Sequence, residues 1–279
     1  MKRITNISRW ALMMGAVLLV VAACNKNEDL VTKDAQEGGL IVPVTTNFAY
    51  KLANTPQVDV TLKAPVGPAI QKIEVYNSYT SADVADTAHP VSNEVLIKTI
   101  TPGSGDITFT LTYADLKNGL TLGTTPLPDD ETKLGIGSNW TLRYVSYMAA
   151  DGRKVINNNK TVISVANIYA GLYQCTGVFH HPTAGDRTIN EEKYLTAISA
   201  YEVTSTTGDL GADYPLKIIV NPTDNTCTVE KLDPNPYDLF MQAGKDSHYD
   251  PATGKFYLWY YYVGSTGNRV IDEEYTPKP

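Results

Sequence analysis

The sequence predicts an all-β protein of two β-sandwich domains, the first immunoglobulin-like, behind an export signal and a flexible tether. Short runs in which apolar and polar residues alternate recur along the chain, and they are rich in Val, Ile, Thr and Tyr. Such runs are typical of strands, and the Gly, Pro, Asn and Asp residues between them are typical of turns. The roughly 255 residues behind the signal predict two domains of about 120 residues each.

Residues 1–23 have the layout of a signal peptide. A basic start at residues 2–9 precedes an apolar run at 10–23, which is shorter than the roughly 20 residues needed to cross a bilayer. The run ends in small residues followed by Cys24, so that a peptidase can approach and the thiol can accept diacylglycerol. We expect Cys24 to become the lipid-carrying first residue of the mature chain. The alternative is an ordinary secretory signal that stands before a cysteine by chance.

Residues 24–38 form the predicted tether, because they are polar and show little apolar periodicity. The acidic patch directly behind Cys24 resembles the surface-export signal of Bacteroidetes lipoproteins. This resemblance implies a chain that is lipid-anchored in the outer membrane and faces the cell exterior; a linker facing the periplasm is the alternative. Buried acyl chains contribute about 0.8 kcal/mol per methylene, enough for stable anchoring.

The first domain is predicted at residues 39–167. Its one helical turn is expected at residues 113–116, with Thr112 as the N-cap. Asp151-Gly152 predicts a hairpin. In the strand before that hairpin, Trp140, Leu142, Tyr144 and Ser146 would share one face. Seven or so strands with hairpin turns indicate an immunoglobulin-like sandwich. Six of them are assigned, to residues 58–62, 70–76, 95–100, 106–112, 140–148 and 161–166.

The second domain is predicted at residues 168–279. Residues 190–195 favour either a short helix, because Asn caps and acidic residues suit a helix N-terminus, or a strand. The charged, Pro-bearing end at residues 272–279 is typical of a segment that protects a sheet edge. The predicted strands cover residues 169–177, 216–220, 227–232 and 256–263.

Charge and cysteine content limit the partners. The net charge is −7 and no basic patch is present, so nucleic acid is not an expected partner. Once Cys24 is lipidated, Cys175 and Cys227 remain, and an exported chain permits a disulfide between them. Two small buried thiols are an equally good interpretation.

Several segments in order resemble lipoproteins from the polysaccharide-utilisation loci of Bacteroidetes, which are similar to the starch-binding accessory lipoproteins. The resemblance covers nearly the whole chain loosely and implies glycan capture beside a TonB-dependent transporter. Asp86-Thr87-Ala88 also resembles the O-glycosylation motif of that phylum, which makes Thr87 a candidate acceptor. The segments are VTLKAP, KIEVYNSY, YADL, LRYVSYMAADGRKV, YAGLYQCTG and FYLWYYYVGSTGNRVIDEEY.

The aromatic run at residues 256–262 is the local feature that suits ligand binding. In a strand, alternate residues point to opposite faces, so Tyr257, Trp259 and Tyr261 would share one face. Sugar rings stack on aromatic planes while hydroxyl groups and nearby polar side chains supply hydrogen bonds. The alternative is packing alone, because a strand covered on both sides also reads as a continuous apolar run.

No catalytic or metal motif stands out. The sequence lacks a nucleophile elbow, a zinc-protease helix, a phosphate loop and a dinucleotide fingerprint. His180-His181 with Asp186 and Glu191 lacks metal-ligand spacing, and residues 129–131 lack the alternating oxygen pattern of a calcium loop. Two sandwiches leave no room for a catalytic barrel, although a glycoside hydrolase needs only two carboxylates. We therefore expect no enzyme activity, metal or cofactor.

The sequence thus predicts a non-catalytic, cell-surface lipoprotein that binds a polysaccharide or oligosaccharide during uptake. A structural, adhesin or assembly subunit of the outer membrane is the main alternative, since exposed strands can recruit partner chains by strand addition. A glycoside hydrolase ranks below both.

Overall fold

The computed structural model describes residues 38–55, 57–65, 67–208 and 214–279. Regular structure in these ranges is nearly all β and forms several sheets, which confirms the predicted fold class. Over the same ranges no helix is long and apolar enough to cross a membrane. The predicted signal peptide, Cys24 and nearly all of the tether lie outside the described residues.

The elements of the first half are strands apart from one α-helix and two 3₁₀ helices among the described residues. In chain order they are β1 (Val42–Pro43), β2 (Asn47–Lys51), β3 (Val58–Lys63), β4 (Ile70–Thr80), a 3₁₀ helix (Val84–Asp86), β5 (Val95–Ile100), β6 (Ile107–Leu111), α1 (Tyr113–Lys117), β7 (Thr121–Leu122), β8 (Thr125–Pro126), a 3₁₀ helix (Glu131–Lys133), β9 (Asn139–Met148) and β10 (Lys154–Ala166).

Two sheets face each other in the first half. One has the strand order β1-β3-β6 and the other β2-β10-β9-β4-β5, with β2 and β10 parallel and the remaining pairs antiparallel. Trp140, Leu142, Tyr144 and Ser146 all point into the core, as the alternation predicts. The ring of Tyr50 meets that of Trp140 edge-on at 5.4 Å, a favoured aromatic geometry. Packed inner faces of this kind define a β-sandwich.

Two local predictions for this half, a helix N-cap and a hairpin turn, are confirmed. Thr112 caps α1, and Asp115 completes a capping box by accepting from the Thr112 backbone N–H, so two backbone N–H groups at the helix start are satisfied. The β9–β10 hairpin turns at residues 149–153, where Asp151-Gly152 predicts it. Gly152 has a φ of +68°, a conformation that glycine adopts without strain.

The second half consists of strands alone among the described residues. They are β11 (Gly171–His181), β12 (Gly185–Ala197), β13 (Glu202–Thr206), β14 (Pro215–Val220), β15 (Cys227–Lys231), β16 (Leu239–Met241), β17 (His248–Asp250), β18 (Lys255–Gly264) and β19 (Gly267–Pro277). Residues 190–195, which favour helix or strand equally in the sequence, lie within β12.

These nine strands form one continuous sheet in the order β15-β14-β13-β12-β11-β19-β18-β16, with β17 also paired to β18. The sheet curves until it is nearly barrel-shaped. The backbone N–H of Cys227 donates to the Ser247 carbonyl at 2.7 Å, and Thr226 pairs with His248, so β15 meets the segment that leads into β17. The inner faces enclose a second core of buried residues.

The end of the chain corrects one expectation. Residues 272–279 were expected to protect an edge, yet most of them belong to β19, which lies between β11 and β18 in the middle of the sheet. Its charges are tolerated there because Asp272 and Glu274 are only partly buried, whereas the buried Glu273 pairs with Lys193. The strand is thus amphipathic although its composition is charged.

Candidate functional site

The aromatic run lies on β18 and alternates between the two faces of the curved sheet. Phe256, Leu258, Tyr260 and Tyr262 are buried in the second core. Tyr257, Trp259 and Tyr261 lie on the outer face and are partly exposed. The predicted division of the run into two faces is therefore confirmed, and the exposed set is available for contact with a ligand.

Neighbouring strands extend this set on the outer face. His248 of β17 stacks on Tyr257 with ring centroids 4.9 Å apart, and Phe240 of β16 stacks on Tyr261 at 5.4 Å. The sequence pattern does not indicate Phe240 or His248, because β16 and β17 are only three residues long and give little periodic signal. We call Phe240, His248, Tyr257, Trp259 and Tyr261 the aromatic platform.

The two central rings of the platform are nearly parallel. The rings of Tyr257 and Trp259 are 6.2 Å apart with an interplanar angle of only 15°, so they present nearly parallel planes. The spacing follows from the strand itself, since residues i and i+2 on one face lie about 6–7 Å apart. The Lys245 ammonium lies 5.7 Å from the Trp259 ring centroid, within the range of a cation–π contact.

Carboxylates border the platform along β19. In the register of β18 with β19, Asp272 lies opposite Trp259 and Glu274 lies opposite Tyr257. Gln242 donates to Asp272 Oδ1 at 2.7 Å, and Lys255 donates to Glu274 Oε1 at 2.5 Å. Hydrogen-bond acceptors are thus held beside the rings by polar partners on the adjacent segments.

A shallow groove runs between the rings and these carboxylates. Its volume is about 240 Å³, and its lining includes Thr176, Tyr257, Trp259, Asp272 and Glu274. Thr176 of β11 lies opposite Glu274, so three adjacent strands contribute polar or aromatic groups to one surface. The arrangement can stack a ring on the aromatic planes while carboxylate oxygens accept bonds from its hydroxyl groups.

A buried ion pair supports the sheet beneath the groove. Lys193 Nζ lies 2.5 Å from Glu273 Oε1, and both side chains are almost fully excluded from solvent. Burial has the largest single effect on the pKa of the Lys193 ammonium and lowers it, but the Glu273 charge, the neighbouring Tyr260 and Cys175 and the hydrogen bond to Glu273 together raise it more, so the pKa is raised overall. Tyr260 donates to Glu273 Oε2 at 2.8 Å. The carboxylate is therefore compensated on both oxygens, as a buried charge requires.

The two remaining cysteines are separate, buried free thiols. The Cys175 thiol donates to Glu273 Oε1 at 3.4 Å and the Cys227 thiol to the Asn225 carbonyl at 3.7 Å. Burial raises the pKa of the Cys227 thiol to about 12, and burial with the Glu273 charge raises that of Cys175 further. Of the two interpretations left open by the sequence, buried thiols are observed and a disulfide is not.

Among the other singled-out residues, His180 comes near the border of the platform, with its Nε2 3.9 Å from Asp272 Oδ2. Thr87 follows the first 3₁₀ helix as its C-cap and is exposed, so its hydroxyl is accessible; its glycosylation stays a prediction. His180 bonds Asp186 at 2.8 Å across the β11–β12 pair, while His181 faces the opposite side of the sheet. Glu131 accepts the Ala53 backbone N–H at 2.8 Å in the first half.

One protein-family match falls mainly on the second half of the chain. A family model described as "-like, C-terminal" matches residues 161–276, which include the whole aromatic platform. The match covers less than half of the chain and is typical of Bacteroides proteins of unknown function. It agrees with the phylum to which the segment resemblance points.

Solved structures show only distant likeness. The sporulation control protein Spo0M from Bacillus subtilis is 14% identical over 70% of this chain and 78% of that chain, with a TM-score of 0.27. The YadV chaperone is 14% identical over 84% of this chain and 98% of that chain, with a TM-score of 0.27. No curated protein matches the chain. Fold and site together describe an all-β protein with an exposed aromatic surface on a strongly curved sheet.

Proposed function

We propose that this chain is a non-catalytic, cell-surface lipoprotein that binds a polysaccharide or oligosaccharide on its aromatic platform. The observation that supports the proposal most directly is the pair of partly exposed, nearly parallel rings of Tyr257 and Trp259 beside the carboxylates of Asp272 and Glu274. Pyranose rings present C–H-rich faces that stack on such planes, and their hydroxyl groups donate to such acceptors.

The chemistry of the border favours a neutral glycan. Both carboxylates accept from protein donors yet stay partly exposed, so they have lone pairs left for ligand hydroxyl groups. The two carboxylates are offset by the Lys245 and Lys255 ammonium groups, so an acidic polymer gains no local attraction here and is repelled by the net charge of −7. We therefore expect neutral polysaccharides to bind better than acidic ones on this surface.

The proposed lipid anchor and tether place the glycan-binding surface at the cell exterior. Lipid at Cys24 holds the protein on the outer membrane facing the exterior, and residues 24–38 let the β-structured part of the chain reach beyond it. Several weak stacking contacts along one polymer combine into avidity, so that captured chains are concentrated near the cell. A TonB-dependent transporter would then take over the released chains.

The alternative function, a structural or assembly subunit, would require a strand that is exchanged between chains. The strand order argues against β19 in that role. Both edges of β19 are paired, with β11 on one side and β18 on the other. A segment that recruits a partner by strand addition needs a free edge. This part of the chain is therefore unsuited to such exchange.

A glycan-array screen of the full-length chain, followed by affinity electrophoresis, tests the proposal. Replacing Trp259 by Ala removes the central ring and should weaken retention about tenfold or more, as for a central contact residue. Tyr194→Ala is the matched control, because Tyr194 is 68% exposed on β12 and away from the platform. Equal retention of the two variants would refute binding at the platform.

A further inference from the structure

The buried pair of Lys193 and Glu273 connects two strands that are far apart in sequence. Lys193 lies on β12 and Glu273 lies on β19, 80 positions later, with β11 between the two strands in the sheet. Their side chains meet on the inner face beside Cys175 of β11, whose thiol lies 3.4 Å from Glu273 Oε1. A lysine amine and a carboxyl group that are held together away from water are the two reactants of an amide bond.

The two atoms that would react are already close. Lys193 Nζ lies 2.5 Å from Glu273 Oε1, and a carboxyl carbon lies about 1.2 Å from its oxygen, so Nζ and Cδ are at most about 3.7 Å apart. Reacting atoms in a near-attack geometry are about 3–3.5 Å apart. The pair therefore needs little movement before a bond can form between Nζ and Cδ.

Two phenol groups hold the other oxygen of the Glu273 carboxyl group. Tyr260 donates to Glu273 Oε2 at 2.8 Å and Tyr275 donates to it at 3.2 Å, and both tyrosines are buried in the core. When an amine attacks a carboxyl carbon, negative charge develops on this oxygen. Donors that are already in place stabilise that charge strongly where water is excluded. The two tyrosines thus form an oxyanion hole.

A second carboxylate is placed to move the protons. Glu191 Oε1 lies 3.4 Å from Lys193 Nζ, and its side chain is 35% exposed, so it contacts solvent as well as the amine. Glu191, Lys193 and Thr206 line a cavity of about 440 Å³, through which a released water molecule can leave. A carboxylate held near the proton that moves is suited to general acid–base chemistry.

Burial also makes the reactive, neutral form of the pair accessible. The pKa of the Lys193 ammonium is raised overall although burial lowers it, and loss of its proton to water would leave the Glu273 carboxylate buried without a counter-charge. Transfer of the proton within the pair, from Nζ to the carboxylate, keeps the net charge at zero and removes both buried charges. The amine formed in this way has a free lone pair.

We propose that Lys193 and Glu273 join in an intramolecular amide bond. The Nζ–Cδ bond forms and the Cδ–Oε1 bond breaks. Two of the three ammonium protons leave with Oε1 as water and the third stays on the nitrogen, so the step needs no oxidant, reductant or co-reactant. Tyr260 and Tyr275 stabilise the oxyanion, and Glu191 transfers the protons. The ion pair is the state before this reaction, and the reaction does not depend on glycan binding.

The product keeps the hydrogen bonds of the pair without its charges. Nζ donates to the Thr206 carbonyl at 2.7 Å, and the remaining amide N–H can keep this bond. The amide oxygen keeps the two phenol donors. Since neither partner is charged any longer, the desolvation cost of a buried ion pair is removed. The bond also ties β19 to β12, so the two strands stay connected even when the fold is lost.

Mass spectrometry of the purified full-length chain in denaturant tests for this bond. We expect a mass lower than that of the linear chain by one water molecule, and a tryptic peptide in which the segment around Lys193 is joined to the segment around Glu273. Lys193→Arg is the reference, because the guanidinium keeps the positive charge and is not deprotonated in proteins; it should give linear peptides only. A wild-type chain that has the linear mass and gives only linear peptides would overturn the proposal.

Two further variants test how the bond forms. Glu191→Gln removes the proton acceptor at a partly exposed position, so it should slow cross-linking about a hundredfold and leave linear chain in the freshly purified protein, with its circular dichroism unchanged. Glu192→Gln is the matched control, because Glu192 pairs with Lys278 on the exposed side of β12; it should be cross-linked like the wild type. Equal cross-linked fractions in the two variants would refute the role of Glu191.

Discussion

Glu273 and Lys193 form the charged centre of the second core. A period-two pattern is visible around both residues, since Ile271, Glu273 and Tyr275 share one face of β19. This alternation predicts that Glu273 points into the core, but it does not indicate that Lys193 is its partner. Lys193 lies 80 positions away in sequence, and pairing at that separation depends on the order of the strands. Such a contact could not be predicted from one sequence.

Glu273→Gln should destabilise the protein by about 3–5 kcal/mol, because it leaves the buried Lys193 ammonium without its counter-charge. Urea unfolding of the full-length chain measures the effect. Glu230→Gln is the control, since Glu230 is largely exposed in its pair with Lys217, and it should change stability little. A Glu273 variant as stable as the wild type would contradict the role given to this pair.

The same cluster predicts loss of stability at alkaline pH. Burial and then the Glu273 charge raise the pKa of Tyr260 and Tyr275 well above their ordinary 10.0, and the pKa of Lys193 is raised above 10.5. Raised folded-state pKa values give stability that is complete below the ordinary values and is lost as pH rises through the folded ones.

Ultraviolet absorbance of tyrosinate, followed together with circular dichroism, checks this pH dependence. We expect Tyr260 and Tyr275 to ionise only when the fold is lost. Complete ionisation of the tyrosines in a chain with native circular dichroism would be inconsistent with their burial beside Glu273.

At the scale of elements, β18 and β19 show what alternation can and cannot predict. The strand at residues 256–263, its two faces and the exposure of Tyr257, Trp259 and Tyr261 follow from period two and strand-forming aromatics. The flanking strands β16 and β17 are too short for such a signal. The central place of β19 was missed because charged composition usually indicates an edge, whereas here Asp272 and Glu274 lie on the outer face and the inward Glu273 is paired with Lys193.

Gly177 sets the close approach of β11 and β19. A Cβ atom at this position would lie 1.9 Å from the Asp272 carbonyl oxygen, so a side chain would force the two strands apart. Gly177→Ala should therefore lower the free energy of unfolding by about 1–3 kcal/mol, as overpacking does. Thermal unfolding measures this, with Gly103→Ala as control because nothing lies within 4 Å of its Cβ position. Equal melting temperatures for the two variants would show that the strands can separate at little cost.

At the scale of the whole molecule, the buried apolar residues form two clusters, one in each half, and Tyr201 packs against both. Asn167 lies at the junction and is 3% exposed. Its amide donates to the Ser199 carbonyl at 2.8 Å and accepts the Ala170 backbone N–H at 2.9 Å. The length of the chain predicts two units, but the side chain that joins them has no sequence signal beyond its position between two strands.

Asn167→Ala should destabilise the chain by about 1–3 kcal/mol, because it leaves buried backbone groups without their partners. Differential scanning calorimetry is the appropriate measurement, and the exposed Asn158 offers a matched Asn→Ala control. We expect a lower transition temperature for the Asn167 variant alone. Identical calorimetric traces for both variants would mean that other contacts join the halves.

The central claim is that the aromatic platform binds glycan, and affinity electrophoresis tests it most directly. Full-length wild type, Trp259→Ala and Tyr194→Ala would migrate through gels containing the polysaccharide that gives the strongest signal on an array of plant, host and microbial glycans. We predict that wild type and Tyr194→Ala are retained, while Trp259→Ala migrates freely with its circular dichroism unchanged. A silent array, or a folded Trp259 variant retained as strongly as the wild type, would contradict the proposal.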